Sequence, residues 1–163
     1  MKFVAFLRGI NVGGNKQIKM ADLVKCFEKL GLKDVKTYIA SGNVIFESSE
    51  SANKLKPTLE VSIKKTFGFE SLIFIRSMDD LKLMVKSDPF KGVKISDKIR
   101  TDVAFLERVS KSKTLSFSTK NMDAKVTIKK DNAFVIRTKK TNQFEFPKIL
   151  RHASLNKYSL FCR

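Results

Sequence analysis

The chain of 163 residues has no Trp, one His, two Cys and three Pro, and its 16 acidic residues are few beside 33 Lys and Arg. Each scarcity removes a class of chemistry. His152 is the only imidazole, so a Ser-His-Asp or Cys-His arrangement would have to use it. It falls in an expected helix far along the chain from Cys26 and from any obvious nucleophile. Cys26 and Cys162 form neither a disulfide framework nor a metal-ligand cluster, which points to a reducing, cytoplasmic setting. Cys26, beside Phe27 on a helix face, reads as a small buried hydrophobe. Cys162, next to Arg163, reads as part of a mobile terminus rather than an active site. No His, Cys and carboxylate group has metal-ligand spacing, so neither a metal nor a cofactor is expected. Asp79-Asp80 are better explained as first-turn helix residues favoured by the helix dipole. No apolar run approaches the roughly 20 residues needed to cross a bilayer. No small-residue cleavage site follows Met1 to Arg8, so that stretch reads as a strand and not as a signal peptide. Internal repeats and low-complexity segments are absent.

What is present suits a folded protein. A hydrophobic fraction of 42% with 14 Phe can fill a core, and the length suits one domain or two small subdomains. The net charge is +17 and the isoelectric point about 10.0. Such a field attracts nucleic acid, nucleotides or anionic membrane surfaces. Lys outnumbers Arg 26 to 7, however. Arg is the better bidentate reader of phosphate and guanine, so the excess also fits an ordinary solvated surface. It is larger in the second part, where residues 77–163 carry 20 basic and 9 acidic residues against 13 and 7 in residues 1–76.

The periodicities give an element order. Residues 2–8 are apolar enough for a buried strand. After the Gly/Asn-rich loop Gly9 to Lys16, apolar residues at Met20, Leu23, Val24, Phe27 and Leu30 share one helix face, which Gly31 ends. Residues 35–40 and 44–47 flank Ser41-Gly42-Asn43 and read as a hairpin. A second helix is expected over about 56–67, with Leu59, Ile63 and Phe67 inward and Pro57 in its first turn. Residues 71–76 make a fourth strand. A third helix starts at the Ser77 cap, with Asp80 three residues on and Leu81, Met84 and Val85 as its apolar face. Pro89 and Gly92 mark a boundary. Beyond it, 100–107, 114–118, 124–130 and 133–138 read as four short strands, with a turn at Lys130-Asp131-Asn132 and a helix over 144–153. The expected class is α+β: a ferredoxin-like β-α-β-β-α-β first subdomain with an extra helix over 1–90, joined to a smaller strand-rich α+β subdomain over 91–163 in one compact unit.

The strings Arg8-Gly9-Ile10-Asn11-Val12-Gly13-Gly14, Lys19-Met20 and Ser41-Gly42-Asn43-Val44, with Arg76-Ser77 and Asp88-Pro89-Phe90, resemble the bacterial domain-of-unknown-function family numbered 1697. The resemblance is good over about residues 1–90 and weaker beyond, and it implies a ferredoxin-like first half joined to a second α+β half. It supplies no reaction. Ala40 stands where the family often has Gln, and Asp88 where it often has Asn. Relatives usually continue with an Arg-Asn-Trp-Asn-Thr stretch and a closing helix, which this chain lacks, so a site needing that segment is expected to be incomplete here.

Topology locates a candidate site. In β-α-β-β-α-β the first two strands run the same way, so loop 9–19 and turn 41–43 should meet at one end of the sheet. The Phe67-Gly68-Phe69 connection should join them there, with Arg76 at the opposite end. The expected ligand-binding residues are Arg8, Gly9, Asn11, Gly13, Gly14, Lys19, Ser41, Gly42 and Asn43, with Lys16 nearby. Glycine lets main-chain N–H groups approach a ligand, and a helix N-terminus favours an anion. A connection of about 11 residues is also longer than most, and such loops are often functional. The plainer reading is that these glycines serve only loop geometry, that Gly42-Asn43 is ordinary hairpin chemistry and that Asn11 braces its own loop. A Walker A loop is not met, because Asn15 intervenes before Lys16 and Gln17 replaces the hydroxyl residue; G-x-G-x-x-G fails too. An RNA-recognition-motif reader would need Phe3 or Phe6 as an open platform, and Val44-Ile45-Phe46 lacks its paired aromatics.

The best reading is a binder of an anionic small molecule at loop 9–19 and turn 41–43. The alternative is a nucleic-acid-binding module using the basic second half, where residues 108–140 carry ten basic and two acidic residues. A third is an interaction domain that self-associates through sheet edges. No membrane partner is expected, and the sequence selects neither an oligomeric state nor an enzyme over a binder, since Arg8 or Lys19 could polarise a substrate without His.

Overall fold

The computed structural model describes residues 1–11, 16–40, 42–94, 96–118, 120, 122–139 and 158–162. The chain divides into two compact units, Met1–Ser87 and Asp88–Arg163. In the first, β1 (Lys2–Leu7), α1 (Met20–Glu28), β2 (Lys33–Tyr38), β3 (Asn43–Glu47), α2 (Ala52–Phe67) and β4 (Ile73–Ser77) follow in the β-α-β-β-α-β order, and α3 (Met78–Lys86) comes after. The sheet order is β2-β3-β1-β4, with every neighbouring pair antiparallel. Alternation in β1 sends Phe3, Ala5 and Leu7 into the core with Leu23 and Phe27 of α1 and Leu55, Leu59 and Ile63 of α2. Full burial of each large side chain contributes roughly 1.5–3 kcal/mol. Phe46 joins them, stacked on Phe3 and edge-on to Phe27. Phe3 is 3% exposed and Phe6 8%, so neither offers the open platform that an RNA-recognition motif uses.

Three local expectations need correction. α2 begins at Ala52, not near residue 56, because Leu55 extends its inward face by one turn. Pro57 therefore lies inside the helix, where its ring removes one backbone donor. Val85 does not pack inward: it is 71% exposed, Leu81 and Met84 are only partly covered, and no residue of α3 is buried. The cap does form, with the Asp80 N–H donating to Ser77 Oγ at 3.0 Å.

The second unit differs more. Instead of four short strands it has two long ones, β5 (Ile99–Ser118) and β6 (Met122–Lys139), paired antiparallel. Lys130-Asp131-Asn132 is not a turn. Lys130 adopts a left-handed φ of 55° inside β6, and the register shifts there, opposite residues 105–113 of β5. Between Phe105 and Lys113, β5 holds four more residues than the facing stretch of β6 from Asn132 to Ile128, and they are absorbed as a bulge without ending either strand. β7 (Tyr158–Cys162) pairs with the other edge of β5, giving the order β6-β5-β7. Cys162 thus stands opposite Asp102 in a ladder and not in a mobile terminus. The helix expected over 144–153, with Pro147 and His152, lies outside the described residues.

One ion pair is sealed inside this second sheet. Arg137 donates from Nε to Asp102 Oδ2 at 2.6 Å and from Nη2 to Oδ1 at 2.9 Å, with both side chains buried. The two-pronged geometry offsets the cost of removing both charges from water. Asp102→Ala should destabilise the protein by about 3–5 kcal/mol, because it strands a buried guanidinium, while Asp102→Ala with Arg137→Met should recover much of that loss. Urea denaturation of the three proteins measures both effects.

Candidate functional site

Loop 9–19 and the β2–β3 hairpin do meet at one end of the first sheet. Arg8 N donates to Leu72 O at 2.9 Å and Leu7 N to Gly42 O at 3.0 Å, so β1 is flanked at its exit by both neighbouring segments. Asn11 holds the loop to the hairpin. Its Oδ1 accepts the Ile18 N–H at 2.8 Å, while its Nδ2 donates to Ile18 O at 3.1 Å and to Ala40 O at 2.8 Å. Asn11 sits at a positive φ of 54°, a conformation Asn tolerates better than most residues.

Gly42 has a structural task here. Its φ is 79°, and a Cβ at this position would collide with the Ile10 side chain, so the space beside it is already filled. Asn43 is buried, and its Nδ2 donates to Tyr38 O at 3.4 Å. The end of β2 is exposed where it enters the turn: Tyr38 is 66% and Ile39 62% accessible. Ile39 has a φ of 53°, unusual for a β-branched side chain and costing about 1–3 kcal/mol.

The remaining expected residues divide between two depressions. Arg8 and Gly9 line a groove of about 650 Å³ with Lys16, Glu60, Val61, Lys64 and the segment 70–72. Asn11 and Lys19 instead line a separate hollow of about 520 Å³ with Gln17 and Ile18. Gly13, Gly14 and Ser41 lie outside the described residues.

The larger groove brings three cations, Arg8, Lys16 and Lys64, to two carboxylates, Glu60 and Glu70. Lys16 Nζ donates to Glu70 O at 2.7 Å and stands 5.4 Å from the Phe69 ring centroid. Lys64 Nζ pairs with Glu70 Oε1 at 2.7 Å. That hydrogen bond and the attraction of opposite charges raise the Lys64 pKa, and the same contacts lower that of Glu70, with Lys16 adding to the effect. Both groups are therefore charged at neutrality. Glu60 Oε1 accepts the Ile73 N–H at 3.1 Å, so one of its oxygens closes the start of β4 and does not face a ligand. Ser71 Oγ donates to Arg8 O at 2.9 Å.

Sequence reasoning missed Glu60, Lys64, Glu70 and Ser71. The signal was available, since Glu60 and Lys64 stand four apart on a helix whose inward residues are Leu55, Leu59 and Ile63. The connection through Phe69, already expected at this end, leads directly into Glu70 and Ser71. Among the described residues no group of three or more His, Cys, Asp and Glu could hold a metal ion, and no helix is long and apolar enough to cross a membrane.

Residues 1–134 match the family described as protein of unknown function (DUF1697). The chain belongs to that family. The match runs beyond residue 90, where the motif resemblance weakens, and takes in most of the long hairpin of the second unit. No curated protein matches the chain. The conserved bacterial protein SP0830 from Streptococcus pneumoniae is similar in structure, with a TM-score of 0.64 and 19% identity over 99% of this chain and 92% of that one. At that identity the likeness shows a shared fold alone.

The bracing role of Asn11 has a direct consequence. Asn11→Ala leaves the Ile18 N–H and two carbonyls without their partner and should cost about 1–3 kcal/mol. Thermal melting checks the loss, which should come with faster amide exchange at Ile18.

Proposed function

We propose that this protein binds an anionic small molecule at the glycine-rich end of its first sheet, in the groove lined by Arg8, Lys16 and Lys64. Of loop 9–19, Gly9 and Lys16 line that groove, and the observation that carries the reading is the convergence of three cations on it. Its volume of about 650 Å³ falls in the range usual for small-molecule sites. Gly9, at a φ of 72°, brings main chain to the groove without a side chain in the way.

The charge balance sets the ligand's character. Glu70 holds Lys64, and its main-chain oxygen holds Lys16. An anion must therefore compete with Glu70, which favours ligands carrying more than one negative charge, such as a diphosphate or a tricarboxylate. Arg8 supplies the planar, two-pronged donor that suits phosphate and carboxylate.

Calorimetric titration with pyrophosphate, nucleoside diphosphates and citrate tests the reading. Wild-type protein should bind at least one of them, and Arg8→Ala with Lys16→Ala should weaken that binding about tenfold or more, in line with the loss of charge-assisted hydrogen bonds. Absence of binding to all three, or equal binding by the double variant, contradicts it. Glu70→Gln should act in the opposite sense, strengthening pyrophosphate binding roughly two- to fivefold by removing a competing exposed charge. Because its hydrogen bond with Lys64 lowers the Glu70 pKa, that advantage should be full at neutral pH and vanish only when the wild-type carboxylate itself becomes protonated in acid.

A further inference from the structure

A second feature, independent of the groove, lies on the long hairpin of the other unit. Along β5 the residues at alternate positions 114, 116 and 118 are Thr, Ser and Ser, all exposed. Alternation puts them on one face of the strand. The register sets Thr127 opposite Thr114, Lys125 opposite Ser116 and Asp123 opposite Ser118, so these share that face, and Lys129 follows two positions beyond Thr127. Thr114 Oγ1 and Thr127 Oγ1 lie 3.4 Å apart. The opposite face carries Ala124, Val126 and Ile128, all buried. Towards Ser118 the hydroxyl face opens onto a depression of about 350 Å³ that includes Thr138 and Lys125.

We propose that this hydroxyl-and-lysine face of the β5–β6 hairpin binds the sugar–phosphate backbone of nucleic acid. Short hydroxyl side chains keep the surface low, so an extended chain can lie against it and receive O–H donors. Lys125 and Lys129 rise above that row and supply positive charge. Thr114 to Ser118 spans about 13 Å at strand spacing, which is about four nucleotides of a B-form strand. That length suits a polymer better than a small anion. The charge on this face is complementary: Lys125 and Lys129 outnumber Asp123, the carboxylate the register places opposite Ser118. A lipid surface fits less well, because the row offers no apolar anchor to enter the bilayer boundary. Aromatic stacking platforms are also absent from the row, so binding should depend on backbone charge and not on base sequence.

Fluorescence anisotropy with short labelled DNA and RNA, single- and double-stranded, across a range of salt reads the proposal. Wild-type protein should bind at physiological ionic strength with little sequence preference and a steep loss of affinity with salt. Lys125→Ser with Lys129→Ser should weaken binding about tenfold and flatten the salt slope by about 1.8, or 0.9 for each lost phosphate contact. Lys54→Ser with Lys65→Ser removes the same charge from the exposed surface of α2 and should change both values far less. The proposal is overturned if the two double variants bind alike, since net charge alone then explains the affinity. It is equally overturned if wild-type protein ignores nucleic acid at physiological salt, or binds anionic vesicles in its place. Circular dichroism confirms that each variant is folded, as expected for exposed lysines. The groove variants do not enter this comparison, so the two proposals fail separately.

Discussion

One side-chain amide organises the end of the first sheet. Asn11 uses its oxygen and its nitrogen together, accepting from Ile18 and donating to Ile18 and Ala40. Three bonds from one residue tie the described ends of the connection, residues 9–11 and 16–19, into a ledge beside the hairpin. The fit of Gly42 against Ile10 completes the joint, since no side chain fits between them. With the ledge in place, Lys16 reaches across to Glu70, and Arg8 continues the hydrogen bonding of β1 towards β4. The cationic groove is thus a by-product of how the loop is anchored, and its charges come from three separate segments of chain.

This arrangement divides the glycine-rich motif by role. Asn11, Gly42 and Asn43 spend their polar or steric capacity on the fold, whereas Arg8 and Gly9 line the groove. A family signature that mixes the two kinds of residue looks like a binding motif even where half of it is joinery. The structural half explains why the pattern must stay together in sequence. The other half needs partners from α2 and from the segment after it.

The first unit was largely legible because its two periods are clean. Alternation in Phe3, Ala5 and Leu7 and helical spacing in Leu23 and Phe27 both converge on one core. Topology then brought loop 9–19 to the hairpin without any knowledge of side-chain contacts. The second unit was read less well for a physical reason. The left-handed Lys130, facing a bulge in β5, interrupts the period-two pattern of β6 as a turn would, and Asp-Asn beside it supplies typical turn residues. β7 pairs only across a long separation, so no local pattern announces it. Within the site, Glu60, Lys64, Glu70 and Ser71 escaped notice because charged residues on an exposed helix flank ordinarily mean solvent. Their meeting with Arg8 is a tertiary fact.

The central claim is that the Arg8–Lys16–Lys64 groove, and not the basic surface at large, is where a small anion binds. The most direct measurement is a pyrophosphate titration followed by amide nitrogen–proton correlation spectra. Saturable shifts concentrated at Arg8, Gly9, Glu70, Ser71 and Leu72 are the predicted result. Shifts spread evenly over lysine-rich surfaces, or confined to the β5–β6 hairpin, would contradict it.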